Sequence, residues 1–288
     1  MRFVNFRSNG RTGIALQKKD GSLVGRFADD PKHPGTLADL VTRGSSALGS
    51  AGRALADAPA LDGGQVEYLP PFPAPPKIIC LGLNYADHAA EGGFKAPTYP
   101  TIFARFGSSL VGHGAPLIRP RVSSQFDYEG ELVAVVGRGG RHISRAQALE
   151  HISGYSIFND ASVRDFQMRT PQWTVGKNFD GTGAFGPAFV TADELPAGAV
   201  GLKLQTRLNG TVMQSASTTQ MIFDVATTVA LITEALTLEV GDVLVMGTPS
   251  GVGMARTPPV FMKAGDVCEV EIEGLGILRN PVVDETAA

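Results

Sequence analysis

Cysteine is scarce. The 288-residue chain has only Cys80 and Cys268, far apart and each inside an apolar, strand-like run. That usage points away from a disulfide framework or a thiolate metal site and toward two buried thiols. No run approaches the roughly 18 consecutive apolar residues of a membrane-crossing helix, and Met1-Arg2-Phe3-Val4-Asn5-Phe6 lacks the long apolar core of a secretion signal. The cytoplasm is the expected compartment. Basic runs are missing too. The net charge is −3 and the lysines and arginines are scattered, which leaves no footprint for nucleic acid and no patch for a membrane surface. A small molecule is the expected partner. Two catalytic signatures are incomplete: Gly44 to Ser50 is glycine- and serine-rich but lacks the lysine of a phosphate loop, and Ser250 is not in a Gly-x-Ser-x-Gly elbow. There is no internal repeat and no low-complexity tract.

Proline, by contrast, is concentrated. Pro59, Pro70, Pro71, Pro73, Pro75 and Pro76 crowd a stretch that cannot sustain a helix or a central strand. The expected division is a small N-terminal α+β domain (1–70), a proline-rich linker (71–76) and a main domain (77–288). In the first part, alternation to about Val24 around Asp20-Gly21 predicts a hairpin, and Leu37 to Val41 a short helix. In the second, Lys77 to Cys80 reads as an apolar strand, Asn209-Gly210 as a hairpin turn, and Val225 to Leu236 as a helix capped by Asp224. Val243 to Met246 is a buried strand delivering the loop Gly247-Thr248-Pro249-Ser250-Gly251.

The chemistry concentrates between Phe126 and Asp180. Asp127-Tyr128-Glu129-Gly130-Glu131 runs into Leu132 to Val136, and on a strand the period of two puts Glu129 and Glu131 on one face. Two adjacent anions on an apolar strand call for positive charge between them. Oxygen-only ligands suit magnesium, manganese or calcium, with Asp160, at the end of the apolar run Gly154 to Phe158, as the third ligand. The bland alternative is a solvated strand edge. Glu269 and Glu271 repeat the spacing where alternation with Val270 and Ile272 marks an ordinary exposed face.

Upstream, His88 and Glu91 share a face if Gly82 to Gly93 contains a short helix, which outlines an acid–base dyad, or merely a surface pair. Arg105 could bind a carboxylate or pair with a nearby acid. Lys177, between Trp173 and Phe179, is partly desolvated and is either an ion-pair partner or a substrate ligand. His33, His113, His142 and His151 are assigned no role.

Together these segments resemble the fumarylacetoacetate hydrolase family. The resemblance runs from about Lys77 to Val283 and is carried by Gly82 to Glu91, Asp127 to Glu131, Ser156 to Gln167, Trp173 to Asp180, Gly247 to Gly253, and Gly265-Asp266 through Arg279-Asn280-Pro281. It implies a mostly β fold with short helices, a mixed β-sandwich roll that is usually a homodimer and holds Mg2+ or Mn2+. By the same resemblance Glu129, Glu131 and Asp160 match the metal carboxylates, His88 and Glu91 the lid dyad, Lys177 the active-site lysine, and Gln167 and Thr248 positions lining the substrate. Leu81 stands where the founding enzyme has a further aspartate, seven residues before the histidine, which places the chain with a three-carboxylate branch.

The implied activity is metal-dependent hydrolysis of a carbon–carbon bond in an acylpyruvate- or fumarylpyruvate-type 2,4-diketo acid through an enolate, with His88 as water-activating base. The same enolate serves oxaloacetate decarboxylation and hydroxymuconate-type isomerisation or hydration. A non-enzyme alternative is a structural metal joining strands at a dimer interface.

Overall fold

The computed structural model describes residues 1–93 and 95–286. The chain opens with an antiparallel meander of β1 (Arg2–Ser8), β2 (Arg11–Gln17) and β3 (Leu23–Phe27). Asp20-Gly21 makes the turn into β3, with Ser22 bonded to the Asp20 carboxylate. A second turn precedes it at Asn9-Gly10, where φ of 50° and 76° suits these two residues and few others. The first hairpin was therefore hidden inside what reads as one alternating run. Next come α1 (Leu37–Thr42), held by a Thr36/Asp39 capping box, and α2 (Ser45–Ala56). The incomplete phosphate-loop stretch is thus mostly the first turns of α2.

The central sheet is built from β5 (Ile78–Gly82), β6 (Thr101–Ala104), β10 (Gly130–Val136), β11 (Ile152–Asp160), β13 (Gly183–Thr191) and β16 (Val243–Val245). The strand order is β3-β2-β1-β13-β11-β10-β16-β5-β6. It is mixed, because β16 and β5 run parallel while the other neighbours are antiparallel. Across the proline stretch, β1 bonds to β13 in the register Phe3↔Phe189, so the first strands extend this sheet. Short pairings complete it: β4 (Glu67–Tyr68) with β1, and β7 (Leu110–Val111) with β13.

A second sheet packs on the first: β15 (Thr211–Ser217), β14 (Lys203–Leu208), β17 (Val267–Ile272), β18 (Gly276–Asp284) and β8 (Leu117–Arg119), in that spatial order. Strand β10 is buried throughout because it is covered on both faces. Val133 and Val135 join the core under α1 and α2, whereas Leu132, Ala134 and Val136 join the core shared with Leu204, Val270 and Leu278 of the second sheet. Strand β17 has one wet face and alternates accordingly. Cys268, Val270 and Ile272 point in, while Glu269 and Glu271 lie outside, where Arg207 pairs with both. Asn209-Gly210 turns β14 into β15, and α6 (Val225–Ala235) starts at Asp224, whose carboxylate accepts from the Thr227 amide at 2.7 Å. The architecture is the expected one: mostly β, two packed sheets, short helices.

Candidate active site

Antiparallel pairing of β10 with β11 brings the acids together. Gly130 faces Asn159, and the Asp160 amide donates to the Glu129 carbonyl at 2.8 Å, so the end of β11 lies beside the start of β10. Glu129 and Glu131, two apart, then converge with Asp160, and one carboxylate oxygen from each lies within 4.8 Å of the others. All three are buried, so the solvated-edge alternative does not describe them. Gly130 between them is required. A Cβ there would lie 2.2 Å from the Thr206 hydroxyl of the second sheet.

Three buried cations surround the acids. Lys177, closing α5 (Thr174–Lys177), donates to Glu129 at 2.6 Å and to Asp160 at 2.7 Å. Arg105 pairs with Asp160 from behind, and its remaining donors go to Ser109, Thr182 and the Ala161 carbonyl. Four of the five N–H donors of Arg105 are engaged in these bonds, and the residue does not line the cavity. It is the ion-pair partner of Asp160.

Arg164, which carried no assignment, does line the cavity. It opens α4 (Arg164–Gln167), directly after the small pair β12 (Ser162–Val163) and β9 (Phe126–Asp127). Its Nε donates to Asp127 at 2.8 Å, and its Nη1 to Glu129 at 2.5 Å and Gln167 at 2.9 Å. Its Nη2 is buried with no partner among the described residues. Asp127, also unassigned, accepts from the Gly253 and Met254 amides and so fixes the loop after Gly251. The available signals were an arginine four residues after Asp160 and an acid two before Glu129; neither names its partner.

Charge is unevenly shared. Burial pushes Glu129 up, but Lys177 and Arg164 outweigh it and hold the carboxyl down at about 2. Burial likewise pulls Lys177 down, and Asp160 and Glu129 reverse that and raise it. Among the described residues Glu131 has no cationic side chain bonded to it and accepts only from the Gly247 amide, at 2.5 Å. Burial, then Asp160 and Glu129, push its pKa well up. A buried oxygen-only donor set with one uncompensated carboxylate fits a hard divalent cation.

His88 and Glu91 sit on α3 (Ala86–Glu91) at the cavity wall, with Nδ1 and Oε2 3.5 Å apart. Glu91 also accepts from the Gly251 amide at 2.9 and 3.1 Å, which ties α3 to the loop after β16. Burial pushes Glu91 up, but the bonds from His88 and Gly251 outweigh it, and its pKa is lowered. Thr248 and Gln167 line the same space. The cavity is about 210 Å3, bounded by Leu83, Phe103, Trp173 and Val252 on its apolar side. Leu83 adopts φ of 59°, a left-handed conformation costly for a leucine. It is held there by Asn84, whose amide bonds Phe223 and Met246.

Two packed sheets enclosing a buried three-carboxylate cluster, roofed by a short helix with a histidine, define an enzyme fold of the fumarylacetoacetate hydrolase type. Residues 77–283 match the family described as fumarylacetoacetate (FAA) hydrolase C-terminal, and the chain belongs to it. It is 43% identical over 265 residues to the rat protein named oxaloacetate tautomerase Fahd2a, mitochondrial, covering 91% of this chain and 84% of the relative. It is 38% identical over 274 residues to Bacillus subtilis oxaloacetate tautomerase YisK, covering 93% and 88%.

Among solved structures, the fumarylacetoacetate hydrolase of Exiguobacterium antarcticum superposes with a TM-score of 0.85 at 37% identity, over 99% of this chain and 100% of that one. A Mycobacterium smegmatis 5-carboxymethyl-2-hydroxymuconate delta-isomerase gives 0.77 at 30%, over 100% of both. A maleylpyruvate hydrolase from Sphingobium sp. SYK-6 gives 0.80 at 26%, over 99% and 100%. The relatives are thus named as tautomerases, an isomerase and hydrolases.

Proposed function

We propose that the chain catalyses keto–enol proton transfer in a small 2-oxo diacid of the oxaloacetate type. One observation carries this reading. Glu129 and Glu131 of the carboxylate cluster, Arg164 and His88 line a single cavity of about 210 Å3. At about 30 Å3 per water that is room for roughly seven waters, well below the about 300–1,000 Å3 of pockets for drug-sized ligands. Small acids fit it better than long acyl chains. The tautomerase names of relatives in a mammal and a bacterium support the same choice.

Glu129, Glu131 and Asp160 would hold a divalent cation, Mg2+ or Mn2+. When bound, that cation supplies Lewis-acid charge to the oxygens of the 2-oxo acid and lowers the cost of its enolate. The chain's own groups do the rest. Lys177 adds fixed positive charge beside the developing oxyanion. Arg164, on the cavity wall, would place its charge near the distal carboxylate. In ketonisation His88, oriented by Glu91, would take up the proton that the C2 hydroxyl gives up and deliver one to C3, while Trp173 and Leu83 exclude water from the carbanionic carbon.

A second reading, carbon–carbon hydrolysis of an acylpyruvate, uses the same His88 to deprotonate a water. The dyad on the cavity wall and the structural likeness to a maleylpyruvate hydrolase favour keeping it.

The test is loss of enol absorbance from freshly dissolved oxaloacetate, with chelator-stripped protein and then with Mg2+ or Mn2+ restored. Pyruvate formation and acetylpyruvate cleavage are followed in parallel. Metal-dependent ketonisation, lowered about 10²- to 10⁴-fold by His88→Ala, is the expected result. Acetylpyruvate loss without ketonisation would move hydrolysis to first place. A homodimer is proposed alongside, to be read by sedimentation. No described helix is long and apolar enough to cross a membrane. The rat relative's name places that protein in the mitochondrion; the cytoplasm for this chain remains our proposal, read by fractionation.

A further inference from the structure

Strand β15 lies at the edge of the second sheet, and only one of its seven side chains is buried. That residue is Gln214, 1% exposed, and it is polar. A register shift opposite Thr206 and Arg207 leaves Met213 as an extra residue in β15, and such a bulge re-aims the next side chain. Gln214 consequently points at the central sheet, where it spends every hydrogen bond it has on one spot. Its Oε1 accepts from the Gly130 amide at 3.0 Å. Its Nε2 donates to the Pro249 carbonyl and to the Thr248 hydroxyl, both at 2.8 Å.

The amide cannot be turned over. Gly130 N–H only donates and the Pro249 carbonyl only accepts, so Nε2 must face Thr248 as a donor. The Thr248 oxygen therefore accepts from Gln214, and its own proton goes to the Gly130 carbonyl at 3.0 Å. That carbonyl is buried, and removing a bond from a buried acceptor is costly. A hydroxyl has one proton and two lone pairs. Here the proton and one lone pair are committed to the protein, and Thr248, which lines the cavity, keeps a single uncommitted lone pair.

We infer that Gln214 is a positioning residue that makes Thr248 an acceptor-only contact, so that the ligand group met there is an O–H donor: the C2 hydroxyl of the enol tautomer rather than the C2 carbonyl of the keto form. This rests on the reading of the cavity as a 2-oxo acid site and adds to it a means of telling the two tautomers apart. The keto oxygen would set lone pair against lone pair at Thr248. The enol hydroxyl completes the chain Gln214 to Thr248 with a donor at its open end.

The test reads binding without turnover, using quenching of Trp173, the chain's only tryptophan and part of the cavity wall. The probes are lactate, with an O–H at C2, and pyruvate, whose C2 oxygen only accepts, each titrated into Mg2+-loaded protein. Wild type should bind lactate more tightly than pyruvate. Thr248→Val, which keeps the shape, should weaken lactate about five- to tenfold, the contribution of one hydrogen bond, and leave pyruvate within about twofold. Thr248→Ser should restore the ratio, and Gln214→Met, which frees the hydroxyl to rotate, should narrow it.

A wild type that prefers pyruvate, or binds neither, overturns the inference. So does a Thr248→Val that weakens both probes alike. A protein inert toward enol oxaloacetate that still shows the ratio and its loss in Thr248→Val would sink the tautomerase reading and leave this one standing.

Discussion

Replacing Lys177 by methionine removes one charge from the centre of the molecule while keeping most of its packing volume. Three buried carboxylates, Asp127, Glu129 and Asp160, are paired with three buried cations, Arg105, Arg164 and Lys177, in the wild type. In Lys177→Met the same three carboxylates share two cations, and Glu129 and Asp160 each lose a bond of 2.6–2.7 Å. Removing one partner of a buried pair costs roughly 3–5 kcal/mol, which is the expected loss in urea unfolding with chelator present.

Lysine also competes with a divalent cation for those two carboxylates. The variant should bind Mg2+ more tightly, and each tenfold gain in affinity returns about 1.4 kcal/mol. The gap between variant and wild type should therefore narrow as Mg2+ is raised. A loss under about 1 kcal/mol in chelator, or equal stabilisation of both proteins by Mg2+, would refute the charge argument.

The Glu91 latch has a pH signature. Its pKa is lowered from an ordinary 4.5, so its contribution is fully present above that value and is lost as the pH falls through the lower folded value. The difference in urea midpoint between wild type and Glu91→Gln should be constant near neutrality and close in acid; a gap that persists to pH 3 would count against the latch. At Gly82, a Cβ would lie 2.2 Å from the Trp173 ring. Gly82→Ala should displace the indole, shift its emission and cost about 1–3 kcal/mol. An unchanged emission spectrum would show that the ring does not rest on Gly82.

The carboxylate cluster was legible because two short-range rules meet there: the period of two set Glu129 beside Glu131, and an apolar run ending in Asp160 predicted a strand that could pair with theirs. The resemblance to a known family then ordered the remaining segments. What stayed hidden is long-range. Arg105 announces that it will meet a carboxylate but not that Asp160, 55 residues on, will consume it. Gln214 reaches Gly130 across 84 residues from a different sheet, and only the bulge at Met213 aims it inward. The Asn9-Gly10 turn was local, but it lay inside an alternating run whose pattern it does not interrupt.

The reaction proposed above passes through an enolate, and the groups that would stabilise one are all buried: the carboxylate cluster, Lys177 and Arg164. What can differ between relatives lies around them. Hydrolysis needs a water beside His88, whereas tautomerisation needs that water kept out, so the choice falls to whatever closes the space above His88. In this chain α3 is held down by Glu91 on the Gly251 amide, and Gly251 has φ of 103° with its Cα so close to β15 that a Cβ would lie 2.2 Å from the Met213 carbonyl. The lid is thereby anchored to the same bulge that directs Gln214 at Thr248. The loop that holds α3 and the residue that directs Gln214 at Thr248 thus meet at one irregularity in one edge strand, and on the proposed reading selectivity belongs there and catalytic power in the buried cluster.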